Sequence, residues 1–225
     1  MRTVIITGVS RGLGAALFEQ LYAGGDRILA IGRSFTDEQE KLAAADPRKV
    51  SLRRADLADI SSLPDKAELV KQLHGSATAV LVHNAAVIEP IGAVGSLPAD
   101  KIAEAVTVNL TAPMVLTNAF LGAARKRATV LFVSTGAVRH AIDGWSVYRT
   151  TKAGGEMFVE AVAAQEPRVA VHKVNPGVID TDMQATIRAA TFADRARFVS
   201  LHEQGELPDP ADVARKIIEQ FLTPE

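Results

Sequence analysis

The opening run of this chain admits few folds. Arg2-Thr3-Val4-Ile5-Ile6-Thr7 is short, apolar and β-branched, and Gly8-Val9-Ser10-Arg11-Gly12-Leu13-Gly14 follows without a break. Residues 15–21 then favour a helix. The reading is strand, glycine-rich turn, helix. Glycine lets a backbone turn tightly and approach a ligand where a Cβ would collide. The helix that opens there offers unpaired N–H groups and the positive end of its dipole, which suit a phosphate or pyrophosphate. The spacing G-x-x-x-G-x-G differs from G-x-G-x-x-G, and no Gly-Lys-Ser/Thr follows as in a Walker loop. A tight βα turn without a ligand would use the same glycines.

The remainder repeats the alternation. Strands are expected at 27–33, 49–54, 77–82, 128–133 and 169–174. Helices are expected at 37–45, 61–73, 98–126 (with a kink at Pro113) and 146–165, and the rest is mainly helical with a break at 207–210. Continuous apolar strands alternating with helices imply a parallel sheet covered on both faces. Right-handed crossovers make it an α/β doubly wound sheet, a Rossmann fold, over a single domain 1–225. Ligands bind such sheets beyond the carboxyl ends of the strands. The glycine-bearing and polar stretches all fall there.

Composition removes several function classes. There is no cysteine in 225 residues, which excludes disulfides, thiolate metal sites and cysteine nucleophiles and fits a cytoplasmic location. The net charge of -1 gives no field favouring nucleic acid or an anionic membrane. No signal-peptide pattern is visible, and no apolar run reaches the roughly 18 residues of a membrane span. His74, His83, His140, His172 and His202 lie on separate elements without metal-ligand spacing, so no metal is expected. His140 carries a weak functional flag, since its loop lies between Thr135 and Tyr148.

The end of the second strand speaks to the cofactor. NAD-binding sheets usually place a carboxylate there to grip the ribose 2′-OH. Here the chain reads Ile31-Gly32-Arg33-Ser34, and Arg11 lies inside the glycine turn. A forked guanidinium suits a 2′-phosphate, which argues for NADP(H); solvated surface cations are the alternative. Asp37 is expected to start a helix instead.

Tyr148 and Lys152 are four apart on a predicted helix and share a face. An ammonium beside a phenol favours the phenolate, so such a tyrosine can exchange a proton with a carbonyl or alcohol oxygen. Y-x-x-x-K alone recurs by chance. In this setting the chain resembles the short-chain dehydrogenase/reductase family in its compact form. Thr7-Gly8-x-x-x-Gly12-x-Gly14 matches the cofactor turn, and Asn84-Ala85-Ala86 resembles the Asn-Ala-Gly segment, with alanine in the last place. Tyr148-x-x-x-Lys152 matches the catalytic pair, Pro176-Gly177-x-x-x-Thr181 the segment after strand six, and Asn109 the helix asparagine.

The resemblance implies roles. Tyr148 is the general acid or base, Lys152 tunes it and binds the nicotinamide ribose, and Asn109 holds a water linking Lys152 to solvent. Asp56 and Leu57 lie beside the adenine, Asn84 near its ribose, and Thr181 at the nicotinamide amide or the phosphates. Gly8, Ser10, Arg11, Gly12, Leu13, Gly14, Ala85, Ala86, Pro176, Gly177 and Val178 complete the cofactor site. The family's substrate-binding serine falls at Thr135, with Ser134 in reserve. The helical end of the chain suggests six strands where the family usually has seven. A homodimer built on the helices after strands four and five is expected.

Val87, Ile88, Ile142, Trp145, Val147, Met183 and Phe192 are candidates for an apolar substrate pocket, with a lid around 181–205. Gly144-Trp145-Ser146-Val147-Tyr148 looks most like the sepiapterin reductase and benzil reductase branch. The implied activity is NADPH-dependent reduction of a ketone, diketone or pterin-type carbonyl. A non-catalytic NADP(H) sensor and a short epimerase or dehydratase are the competing readings.

Overall fold

The computed structural model describes residues 2–222. Its strands are β1 (Arg2–Thr7), β2 (Arg27–Gly32), β3 (Val50–Arg54), β4 (Thr78–His83), β5 (Ala128–Val133) and β6 (Val169–Val174). They pair in parallel in the order β3-β2-β1-β4-β5-β6. The order reverses between β1 and β4, and a crevice opens there beyond the strand ends. Among the described residues there is no seventh strand. The last of them, Ile218–Leu222, form a π-helical turn.

Both faces of the sheet are covered, which is why its strands read as unbroken apolar runs. Successive side chains point to opposite faces. Ile5, Ala79 and Leu81 join one core with Leu116 and Phe120, while Val4, Ile6, Val80 and Val82 join the other with Leu17, Phe18 and Ile217. The helices are α1 (Gly12–Ala23), α2 (Asp37–Ala45), α3 (Lys66–Gln72), α4 (Ala99–Val106), α5 (Ala112–Ala123), α6 (Ser146–Gln165), α7 (Asp182–Ala189), α8 (Arg195–Glu203) and α9 (Pro210–Ile217).

Two helical expectations need correction. Residues 61–73 are not one helix: a 3-10 turn at Ile60–Ser62 ends before Pro64, and α3 starts afresh at Lys66 behind its cap Asp65, whose carboxylate accepts from Glu68 N–H. Pro64 has no N–H to continue the first turn. The region 98–126 is helical over Ala99–Ala123 but widens to a π-helical turn at Thr107–Thr111, just before Pro113. A proline inside a helix removes one backbone bond and crowds the carbonyl four residues back, and the wider turn absorbs that conflict. By length and composition this stretch is also long and apolar enough to cross a membrane, and half of its most apolar part is buried within the protein.

α2 begins as expected at Asp37. Thr36 and Gln39 form a reciprocal capping box, and the buried Gln39 side chain donates to Val9 O at 2.8 Å. That bond ties the start of α2 to the glycine turn.

Candidate active site

A cavity of about 1050 Å³ lies along the carboxyl ends of the strands. Its floor at one end is the β1–α1 turn. α1 has no side-chain cap and no acidic residue in its first turn, and Gly12, Leu13 and Gly14 line the cavity. The first-turn N–H groups are thus left for a ligand. Gly14 is required by packing: a Cβ there would sit 1.9 Å from Gly8 O and 2.5 Å from Asn84 Nδ2. Asn84 Nδ2 donates to Thr7 O at 3.1 Å and Gly8 O at 2.8 Å. Thr7 Oγ1 accepts from the N–H groups of Asn84 and Ala85. Asn84 therefore clamps the turn against the end of β4, and Thr7 is a site-shaping residue that was visible only as part of the motif.

The two arginines differ. Arg33 is exposed on the cavity rim beside Ser34, and its guanidinium has no ion-pair partner among the described residues. Arg11 pairs with Asp182 of α7 at 2.9 Å across the cavity mouth, with both side chains well exposed. Asp37 does not line the cavity.

At the other end, α6 lies against β5. Gly155 permits the approach, since a Cβ there would meet the Phe132 ring at 2.2 Å. One turn earlier, Lys152 Nζ donates to Val133 O at 2.7 Å and lies 4.9 Å from the Phe132 ring centroid. Lys152 and Tyr148 are both buried and both line the cavity, with Nζ 5.9 Å from the Tyr148 ring centroid. Burial pushes the phenol up to about 12, and a hydrogen bond with the Thr135 side chain opposes the rise. Burial also pulls the Lys152 ammonium down to about 8, opposed by the Glu156 carboxylate. The lowered phenol pKa expected from the sequence gives way to a raised one, because withdrawal from water outweighs the hydrogen bond from Thr135.

Thr135 and Ser134 point to different partners. Thr135 reaches Tyr148 and also accepts from Ala137 N–H at 3.2 Å. The Ser134 hydroxyl donates to Glu156 on α6. Asn109 does not line the cavity. It is buried, its Oδ1 accepts from Val87 N–H at 2.8 Å, and its Nδ2 donates to Val87 O at 2.8 Å and Thr151 Oγ1 at 3.2 Å. Its side chain fastens the segment after β4 to α6. His83, a packing histidine, is buried against Thr117 Oγ1 at 2.8 Å, and burial, with Lys152 nearby, pulls its imidazole down to about 3.

Every other residue expected in the cofactor site lines this cavity: Gly8, Ser10, Asp56, Leu57, Ala85, Ala86, Pro176, Gly177, Val178 and Thr181. Val87, Trp145, Met183, Ile88, Ile142 and His140 line it too, but Val147 and Phe192 do not. Val147 sits one residue before Tyr148, so the helix turns it away. Phe192 packs behind Trp145 at 6.2 Å between ring centroids, and Phe198 takes the lining position, stacked on Trp145 at 5.3 Å. Gln184 was also missed; nothing in its local sequence separates it from a surface glutamine. Among the described residues no cluster of potential metal ligands occurs.

Known proteins resemble this chain in sequence and in fold. A family model described as short chain dehydrogenase matches residues 2–191. A benzil reductase ((S)-benzoin forming) of Bacillus cereus is 33% identical, across 100% of this chain and 96% of its own. The sepiapterin reductase of Meriones unguiculatus is 32% identical, across 95% of this chain and 88% of its own. The crystal structure of the KRED1-Pglu enzyme superposes with a TM-score of 0.87 at 29% identity, covering 100% of this chain and 97% of that one. The chain belongs to the short-chain dehydrogenase/reductase family of oxidoreductases.

Proposed function

We propose that this protein is an NADPH-dependent reductase of ketones or diketones, with Tyr148 as general acid. The observation that carries the reading is the convergence, in one cavity, of an uncapped helix N-terminus and the buried Tyr148, Lys152 and Thr135. The benzil and sepiapterin reductases among its relatives support the carbonyl substrate class.

The chain's groups fit NADPH. The first turn of α1 suits the pyrophosphate, Arg33, without an ion pair among the described residues, suits the 2′-phosphate together with Ser34, and Asp56 and Leu57 would hold the adenine. Lys152, Pro176, Gly177, Val178 and Thr181, which line the other part of the cavity, would hold the nicotinamide end. Bound there, the cofactor supplies the hydride.

The protein's own part is proton delivery and orientation. A phenol held near 12 keeps its proton at neutral pH, the form that reduction of a carbonyl needs. Lys152, near 8, is mostly charged at the same pH and stabilises the phenolate as it forms. The Thr135 hydroxyl donates to the substrate oxygen, and a donor so placed is worth about 2.7–4 kcal/mol. Trp145, Val87 and Met183 enclose the apolar flanks of the substrate.

The test is NADPH oxidation, followed by absorbance, across aromatic 1,2-diketones, pterin ketones and simple ketones. Tyr148→Phe should lower kcat by about 10²–10⁴-fold, the range for a lost general acid, while NADPH still binds. A Tyr148→Phe variant with most of its activity intact would remove the acid assignment.

A further inference from the structure

Tyr148, Lys152 and Glu156 recur at four-residue intervals along α6 and so share a face. The first two serve the reading just given; the third is unaccounted for. Glu156 is half-buried, and its carboxylate accepts from the Ser134 hydroxyl. Ser134 lies between Val133, whose carbonyl receives Lys152 Nζ at 2.7 Å, and Thr135, which reaches Tyr148. The end of β5 is thus gripped from α6 at two consecutive residues, by the ammonium and by the carboxylate. Behind it lies a second cavity of about 320 Å³, lined by Thr135, His140, Glu156, Lys173 and Asn175 among others.

We propose that Glu156 is a positioning residue of the reductase site: docked on Ser134, its carboxylate sets a negative charge on the α6 face that carries the Lys152 ammonium and fixes the strand end that presents Thr135 to Tyr148. This rests on the carbonyl-reductase reading.

The charges around Lys152 leave that task to Glu156. Tyr148 on α6 is a neutral phenol at neutral pH, and His83 on β4 is held uncharged by burial, so neither supplies a negative charge. β5 contributes only the Val133 carbonyl and the Phe132 ring. From β6, Lys173 approaches Glu156 at 3.7 Å and also pairs with Glu160, so Glu156 is shared between two cations, one buried and one at the surface. Burial alone pulls Lys152 down, and Glu156 is the charge that pulls it back up.

Glu156→Gln tests this, because it retains an oxygen for Ser134 and deletes the charge. NMR titration of the side-chain ammonium in lysine-labelled apoprotein reads Lys152 directly, assigned by its loss in Lys152→Arg. The midpoint should fall by about one pH unit, at the low end of what a nearby opposite charge provides. The alkaline limb of kcat/KM should move down by the same amount, and Glu156→Asp should restore its position. An unmoved midpoint in Glu156→Gln overturns the proposal. So does an equal loss of rate in the Gln and Asp variants with the limb in place, which would mark Glu156 as structural. A wild type that oxidises no NADPH would sink the reductase reading, and the apoprotein titration would still decide this one.

Discussion

Around the β1–α1 turn the cavity wall is mostly backbone: first-turn N–H groups, a glycine packed against a carbonyl, and exposed arginines. Around β5 and α6 it is mostly side chains, and Tyr148 and Lys152 are withdrawn from water and stand far from their ordinary values. The contrast follows from the ligand each end suits. A phosphate needs donors and a positive potential, which a helix terminus supplies while staying wet. Proton transfer needs a group whose affinity for the proton is set by its surroundings, and burial is the strongest means of setting it. The two ends should therefore fail differently: the buried end through stability and pH, the exposed end through affinity and salt.

The largest effect on stability belongs to His83. Its pKa is about 3 when folded, against 6.5 for the free side chain. Between those values the unfolded chain takes up a proton that the folded one refuses, so stability falls as pH drops from 6.5 toward 3. The full loss is on the order of 5 kcal/mol. Urea unfolding at a series of pH values should show it, and His83→Gln, which cannot titrate, should show a shallower acid decline. Parallel curves for the two proteins would mean that the imidazole is less isolated than its contacts imply.

Gly155→Ala comes next. Its Cβ would meet the Phe132 ring, so α6 must lift from β5, at a cost of about 1–3 kcal/mol for an overpacked core. Because the lift also draws Lys152 from Val133 O, kcat should fall more than NADPH affinity does. A variant that loses melting temperature but keeps kcat would separate packing from catalysis and weaken the link drawn between them.

The same contrast explains what could be read without coordinates. The glycine turn, the Tyr148-Lys152 spacing and the six strands depend on local pattern: β-branched runs, glycines at fixed offsets and helix periodicity. Helix α6 was legible to both ends, and so was α2, which starts at Asp37 and stops before Asp46-Pro47. What failed depends on long-range neighbours or on one proline overriding a pattern, as at Pro64 and in the π-helical turn before Pro113. The direction of the Tyr148 shift could not be read, because it turns on how deeply α6 sinks onto the sheet. Neither could the division of labour between Ser134 and Thr135. Neighbours on an extended segment face opposite ways, and only Glu156 on another element shows which way Ser134 turns.

At the exposed end, Arg33→Ala should weaken NADPH by about 10- to 100-fold, the scale of a charge-assisted hydrogen bond, and leave NADH nearly unchanged. Equal weakening of both would move the 2′-phosphate away from Arg33.

Arg11 and Asp182 should give the smallest effect. Their side chains are 72% and 65% exposed, so the pair contributes at most about 1 kcal/mol to stability. Asp182→Ala should leave the melting temperature almost unmoved. It should nevertheless tighten NADPH by roughly 2- to 5-fold at low salt, because it frees Arg11 and removes a carboxylate from the mouth of a phosphate site. Raising the ionic strength should erase the gain, since exposed charges are screened over about 10 Å or less. A gain that survived high salt would mean that Asp182 acts by holding α7 over the cavity, and the exposed end would then share the buried end's dependence on packing.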